Sequence, residues 1–493
     1  MTAASGKSTL VRGAAWAVGM RWSVRLLGLL NTVVMARILL PAEYGVVAMA
    51  SVVVGLIQAF LDFGASTALL RKAEVDRDDI DSAWTLRVIQ GCIVFAVLVL
   101  VSPLAVRYFG EPRVMYVLWT LGLCMAVTCM ANIGVTLAQK AFNFSLDFKL
   151  QVISKVLGVI VTIVAGLMLR DYRALVMGIA TGQISMTLLS YWMHPYRPRW
   201  NTSKIGEIWA VTKWLMLSSI GSFVMRRGDE LVAGRVATDS AQFGVYSVGS
   251  DFGQMPTSEV GPALLRALLP LLSSMTGSVQ QINAAVIKAA GAANTVTWAL
   301  GLGFAAVAGP ATVLVLGPNW SAAAPYVAGF AIVGAIQSMP GSLNTLLVMR
   351  GRTKQHSMTV WTEFVAFLAA ALVLVPMLSI YGLVWARACG ALCGAAAAMF
   401  FAWRYCELRL RALAMALIRP VIGAVLMYLL VRWAMGHVQA PAVQLAIGIL
   451  MGGVFYVAWC AVSWRLLGCP DGLESMVLGY LRRRLSRPRT ATH

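Results

Sequence analysis

Met35-Ala36-Arg37-Ile38-Leu39 runs after a short gap into Glu43-Tyr44-Gly45-Val46-Val47-Ala48. The pattern returns near mid-chain as Ala233-Gly234-Arg235-Val236-Ala237 and then Gln242-Phe243-Gly244-Val245-Tyr246-Ser247. Later in each half comes a loop of one type, Phe109-Gly110-Glu111-Pro112-Arg113 and Leu316-Gly317-Pro318-Asn319-Trp320. Each loop precedes a tyrosine-led segment, Tyr172-Arg173-Ala174-Leu175-Val176 in the first half and Tyr381-Gly382-Leu383-Val384 in the second. Matches in one order, offset by roughly 200 to 210 residues, indicate internal duplication rather than chance.

The duplicated units read as membrane units. Of 493 residues, 59% are hydrophobic and only 12% charged. Soluble domains carry about twice that charged fraction, and the mean hydropathy is +0.76. Apolar runs of about 20 to 28 residues recur from end to end, each long enough to cross a bilayer as a helix. Helix is the form such runs adopt, because backbone groups in lipid are paired within their own segment. The expected fold is therefore all-α: a polytopic membrane protein of about fourteen spans, from residues 9–39 to 443–466. About six spans fall in each repeat, which gives an N-lobe over residues 1–196 and a C-lobe over 197–405. Residues 406–493 then hold two extra spans and a basic tail.

Lys and Arg are unevenly shared between the two loop faces. One face carries Arg71, Lys72, Arg77, Lys140, Lys149, Arg197, Arg199, Lys204, Arg350, Arg352, Arg404 and the tail from Arg482 to Arg489. The other shows mainly Arg37, Arg107, Arg113, Arg170, Arg173, Arg235 and Arg432. That bias, roughly three-fold, puts both termini in the cytoplasm. The net charge of +20 is then an orientation signal plus a tail for anionic lipid, and does not point to nucleic acid. The eight cysteines form no disulfide framework, since they fall in spans or on the cytoplasmic face. The first apolar run is too long for a cleaved signal peptide and carries Arg21 and Arg25 inside it.

Two local patterns are set aside. Gly6-Lys7-Ser8-Thr9 imitates the end of a phosphate loop, but no strand precedes it. Asp76-Arg77-Asp78-Asp79-Ile80-Asp81 could hold a divalent metal, yet the short loop has no domain around it. It reads as a solvated turn with Asp81 or Ser82 capping the third span. No cofactor motif is present.

The embedded charges carry the functional signal. Arg21 and Arg25 share one face of the first span; Asp62 interrupts the second and Lys155 the fifth. The seventh holds Arg226, Arg227, Asp229 and Glu230, with Arg226 and Glu230 spaced for an i,i+4 pair. Asp251, Glu259, Arg266, Lys288, Glu363 and Arg387 follow, with Lys213, Arg266 and Lys288 near enough to span ends to snorkel. A charge at the bilayer centre costs about 3 kcal/mol or more, so these groups face protein or water. They either lock helices as ion pairs or line a path. In the first and fifth spans the cations lack nearby acids, which suits an anionic cargo gripped by guanidinium groups. A duplicated bundle with charge at mid-depth is the layout of a transporter.

The stretch from Met35 to Ala50, with Arg227-Gly228-Asp229-Glu230-Leu231-Val232-Ala233-Gly234-Arg235 and Phe243-Gly244-Val245-Tyr246, is similar to signatures of bacterial polysaccharide transporters. It resembles the Wzx-type lipid-linked oligosaccharide flippases of the multidrug/oligosaccharidyl-lipid/polysaccharide exporter superfamily, in the exopolysaccharide, colanic-acid-type branch. The resemblance covers nearly the whole chain. It implies two six-helix lobes in a V around a central cavity, in the bacterial inner membrane. It also implies a cargo of undecaprenyl-pyrophosphate bearing one oligosaccharide repeat, with membrane lipid, a polysaccharide polymerase and a chain-length regulator as partners. Arg21, Arg25, Asp62, Lys155, Arg226, Arg227, Asp229 and Glu230 are the candidate cargo-binding residues.

Two other readings stand beside this one. A cation-coupled drug exporter of the same fold would favour acids in the cavity, whereas the first and fifth spans are basic. A membrane polymerase or ligase would need a sizeable outward loop carrying catalytic groups, and the outward loops are short. The coupling ion, H+ or Na+, is open. The orientation has a direct test: alkaline phosphatase fused after Arg489 is expected to be inactive, and an active fusion would reverse the topology.

Overall fold

The computed structural model describes residues 3–62, 64–72, 74–141, 143–273 and 279–466, and all its regular elements are helical. They are α1 (Ala3–Ile38), α2 (Pro41–Phe60), α3 (Ala65–Arg71), α4 (Arg77–Phe109), α5 (Arg113–Cys129), α6 (Gly134–Lys140), α7 (Phe144–Leu169), α8 (Arg173–Met193) and α9 (Ile205–Val236). Then follow α10 (Ser240–Ser273), α11 (Val279–Ala306), α12 (Ala308–Val315), α13 (Ala324–Ser338), α14 (Gly341–Met349), α15 (Thr353–Leu378), α16 (Gly382–Cys406), α17 (Leu410–Met435) and α18 (Pro441–Leu466). Among the described residues eight helical segments are long and apolar enough to cross a membrane, or ten with two bent pairs. One of them, Thr353–Cys406, contains both α15 and α16, which fold back on each other at Ser379–Tyr381. Helices α1, α9 and α10, of 36, 32 and 34 residues, carry several of the embedded charges. Gly6 to Thr9 lie within α1. The side chains of Lys213, Glu259 and Arg266 and the tail arginines lie outside the described residues.

By backbone contacts the chain divides into two compact units, Met1–Ser247 and Val248–His493. In the first unit, two spans expected to be continuous over 42–70 and 114–139 are broken. The second gives way between α2 and α3, and the fourth bends by 60° between α5 and α6. Each break is an Asx turn. Asp62 Oδ1 accepts from the Gly64 N–H at 3.0 Å, and Asn132 Oδ1 accepts from the Gly134 N–H at 2.9 Å. Carbonyls at the α5 end accept from turn amides and, in addition, from side chains of neighbouring helices, as lipid requires. Arg87 Nη2 donates to Thr128 O, Trp84 Nε1 and Tyr191 Oη to Met130 O, and Thr187 Oγ1 to Val127 O.

The repeated motifs meet in this unit. Glu43, at the start of α2, accepts from Arg113 Nη1 and from the Tyr172 N–H, both at 2.9 Å. Arg113 also pairs with Glu111 at 2.9 Å, reaches Ser240 Oγ at 3.4 Å and lies over the Tyr172 ring. Beside this clasp the equivalent glycines of the two repeats let α2 and α10 cross at backbone contact. A Cβ on Gly45 would overlap the Ser240 carbonyl, and one on Gly244 would overlap the Pro41 carbonyl.

The acidic loop is solvated only in part: Asp76, Arg77 and Asp78 are exposed, whereas Asp79 and Asp81 are not. Asp76, rather than Asp81 or Ser82, caps α4, in a capping box with Asp79. Asp79 and Asp81 are buried, at 4% and 3% exposure, because they tie down the segment leading to α9. Asp81 accepts from Tyr196 Oη at 2.7 Å and the Arg199 N–H at 3.0 Å. Thr85 Oγ1 accepts from the Asn201 N–H, Ser82 Oγ from the Lys204 N–H, and Asp76 and Asp79 pair with the Lys204 ammonium. The connection before α9 is thereby strapped to α4, and α9 belongs to the first compact unit. The boundary at 196/197 follows the sequence repeat; the contact division follows this strap.

In the second unit, Trp320 of the Leu316–Trp320 loop is fully buried, and Tyr326 and Tyr381 meet edge to face at 5.5 Å. Helix α17 packs along α11 and α18 along α17, and Tyr456 Oη donates to Thr295 O at 2.8 Å. The two helices beyond the duplication thus bind to α11.

Two measurements check this architecture. Gly244→Val is expected to cost about 1–3 kcal/mol through overpacking at the crossing, read as a lower thermal midpoint. Gly206→Ala, where a Cβ meets nothing, is the control, and equal midpoints would deny the close crossing. The second concerns pH. Hydrogen bonds from the Lys204 ammonium and the Asp79 N–H bring the Asp76 carboxyl down to about 2, against about 3.9 unfolded. Its contribution is therefore complete above the unfolded value and lost as pH falls through about 2. Amide exchange at Arg199, Asn201 and Lys204, corrected for intrinsic rates, should stay slow down to about pH 4 and accelerate below it. Acceleration already near neutrality would contradict the strap.

Candidate functional site

A cavity of about 420 Å³ lies between α2 and α9 in the first unit. Its α2 wall is Gly55, Gln58, Ala59 and Asp62, and its α9 wall is Ser219, Ser222, Phe223 and Arg226. Both sets follow the i, i+3, i+4, i+7 spacing that places residues on one helix face. Gly64 and Thr67, at the α2–α3 break and on α3, complete the lining.

Asp62 owes its position to the break. Just past the end of α2, its Oδ1 holds the Gly64 N–H while Oδ2 accepts from Ser219 Oγ of α9 at 3.1 Å. The carboxylate therefore organises the turn and ties the cavity's two walls together. Arg226 is exposed and makes no ion pair with any described residue. The wall thus offers one carboxylate, one guanidinium, an amide and three hydroxyls, suited to hydrogen-bonding polyols and holding an anion.

The other sequence candidates separate into two places. One turn beyond Arg226, Asp229 and Glu230 are buried, at 2% and 3% exposure. Asp229 Oδ2 accepts from the Tyr246 hydroxyl at 2.8 Å, and Glu230 pairs with Arg227. This corrects the expected Arg226–Glu230 pair: Arg226 is turned to the α2 cavity, which leaves Glu230 to the neighbouring Arg227. Asp229, Glu230 and Arg227 therefore make contacts within the helix packing. Arg21 and Arg25 lie on α1 and Lys155 on α7, which pack together, and the Lys155 side chain lies against Gly28, one turn past Arg25. None of these three lines the α2–α9 cavity.

Gln58, Thr67, Ser219 and Ser222 were not singled out from the sequence, although the helical spacing of polar residues around Asp62 and Arg226 was there to be read. Arg87 was also passed over. It is an embedded cation whose Nη2 supports the α5 break through Thr128 O. Among the described residues no three His, Cys, Asp or Glu side chains group as metal ligands.

A family model described as "Polysaccharide biosynthesis protein" matches residues 34–325. The succinoglycan biosynthesis transport protein ExoT of Rhizobium meliloti is 23% identical, over 95% of this chain and 96% of its own length. The lipopolysaccharide biosynthesis protein WzxC of Escherichia coli is 22% identical, over 69% of this chain and 70% of its own. In fold, the chain superposes on the inward closed conformation of the lipid II flippase MurJ with a TM-score of 0.73 at 12% identity, over 92% of this chain and 99% of that one. The family match spans more than half of the sequence and includes the clasp, the cavity and every repeated motif but the one at Tyr381–Val384, and the chain belongs to the polysaccharide biosynthesis protein family.

Proposed function

We propose that this protein moves undecaprenyl-pyrophosphate-linked oligosaccharide repeats across the bacterial inner membrane by alternating access, with both termini in the cytoplasm. The observation that carries the proposal is the cavity between α2 and α9, where hydroxyls, an amide, Asp62 and Arg226 line one space in a helical membrane bundle. Sugars need many neutral hydrogen-bonding partners, and a diphosphate needs a guanidinium without a competing carboxylate partner. Among the described residues Arg226 meets the second need, and Gln58, Ser219, Ser222 and Thr67 meet the first. Arg21, Arg25 and Lys155, along the α1–α7 packing, supply further positive charge. Membrane lipid surrounds the protein, and a polysaccharide polymerase and a chain-length regulator act on the delivered repeats. The protein itself makes and breaks no covalent bond. The relative named as a transport protein and the fold shared with a lipid II flippase support this reading.

The test is transfer of a lipid-linked oligosaccharide across vesicles containing purified protein. Arg226→Ala is expected to lower transfer by about ten- to a hundred-fold, the loss of one charge-assisted contact of about 1.5–3 kcal/mol. Ser222→Ala should cost only a few-fold. Insertion should be normal, since removing an embedded cation eases membrane placement. Wild-type transfer by Arg226→Ala would remove the cavity from the transport path.

A further inference from the structure

Cations collect without acids where α14 turns into α15. Arg350 follows the last residue of α14, Gly351 turns the chain at φ +69°, and Arg352 precedes α15. The end of α16 brings Arg404 and Tyr405 to the same place. The Arg352 guanidinium carbon is 5.5 Å from the centre of the Tyr405 ring, and that of Arg404 is 5.8 Å from it. Two like charges share one aromatic ring, an arrangement that repels unless an anion joins it.

No carboxylate does so among the described residues. Arg350, Arg352 and Arg404 form no ion pair there, and neither does Glu407, which follows closely on α16. At the turn itself, Arg350 Nη2 is shielded from solvent and makes no hydrogen bond. Cations at helix C-termini complement the helix dipole, which explains Arg350 and Arg404 in part. It does not explain a buried guanidinium nitrogen without an acceptor, because such a group costs free energy unless one arrives.

The location decides which anion. Arg350 to Arg352 fall between the apolar segments Pro318–Met349 and Thr353–Cys406, and Arg404 and Tyr405 lie at the end of the second. This is a membrane–water boundary. The neighbouring apolar side chains are turned outward: Met349 is 43% exposed, Phe400 52% and Trp403 47%. A ligand with a phosphate at the boundary and acyl chains along these residues matches both parts. We propose that the α14–α15 turn and the end of α16 form a binding site for the headgroup phosphate of an anionic phospholipid. Arg352 and Arg404, both exposed, hold the phosphate, Arg350 adds positive charge beneath them, and Tyr405 keeps the two outer guanidinium groups oriented.

The experiment uses the full-length protein in detergent, supplied with phosphatidylglycerol, phosphatidylcholine or inorganic phosphate, and reads bound lipid by native mass spectrometry and the thermal midpoint. Wild type should retain phosphatidylglycerol at least ten-fold over phosphatidylcholine, at about five-fold per basic side chain. Only phosphatidylglycerol should raise the midpoint. Arg352→Gln with Arg404→Gln changes two exposed side chains, and should leave the lipid-free midpoint unchanged while removing the preference. Should that pair lower the lipid-free midpoint, Arg404→Gln alone is expected to cut the preference about five-fold. Equal phosphatidylglycerol retention by variant and wild type would overturn the site. Protection by inorganic phosphate matching that of the lipid would overturn the lipid as its occupant.

Discussion

Glu43 takes hydrogen bonds from the Arg113 guanidinium and the Tyr172 amide, and through Arg113 it is joined to Glu111 and Ser240. Charge-assisted bonds of this kind contribute about 1.5–3 kcal/mol each, and here several converge on two side chains. They join the starts of α2, α5, α8 and α10, elements far apart in the chain. The clasp stands beside the Gly45–Gly244 crossing, where helix backbones approach too closely for any side chain. The duplicated motifs are thus conditions for bringing four helix ends together: an acid, an arginine, a free amide and two glycines. The second repeat keeps the glycine and replaces the charges. Gln242 stands where Glu43 does, and Trp320, fully buried, where Arg113 does.

The same constraint explains where the helices give way. In lipid a broken helix leaves backbone groups with no water to satisfy them, so a break persists only where side chains take over. Asp62 and Asn132 do this locally, and Arg87, Trp84, Tyr191 and Thr187 do it from neighbouring helices. At α2 the break has a second consequence. The turn that Asp62 stabilises also sets its carboxylate toward α9 and opens a polar space in an apolar bundle. Discontinuous helices near substrate sites are the pattern expected of transporters, and here the turn and the cavity share a residue.

Embedded charge in this chain has two fates, and distance along one helix separates them. Arg226 faces the cavity, while Arg227, Asp229 and Glu230 are engaged in packing within one turn of it. Glu230 is buried while its partner Arg227 is 41% exposed, so that pair is only half removed from water. Asp229 is tied to α10 through the Tyr246 hydroxyl, and Glu230 to its own helix through Arg227. The strap from α4 to the connection before α9 adds to this by fixing the other end of α9.

The helical membrane class followed from composition and span length alone, because lipid leaves a long apolar run no other structure. The duplication and the family were legible in ordered motifs, each a local string of a few residues. The breaks were half legible: Asp62-Phe63-Gly64 and Asn132-Ile133-Gly134 share one turn pattern, but only packing shows that neighbouring side chains can sustain it. Partner choice was not legible. Spacing allowed Glu230 to pair with Arg226, and the direction in which α2 lies made it Arg227. The acidic loop looked solvated because burial depends on a segment more than a hundred residues later, Tyr196 to Lys204. Periodicity tells which residues share a helix face; what that face meets is decided by tertiary structure, since charge and burial are properties of pairs of elements.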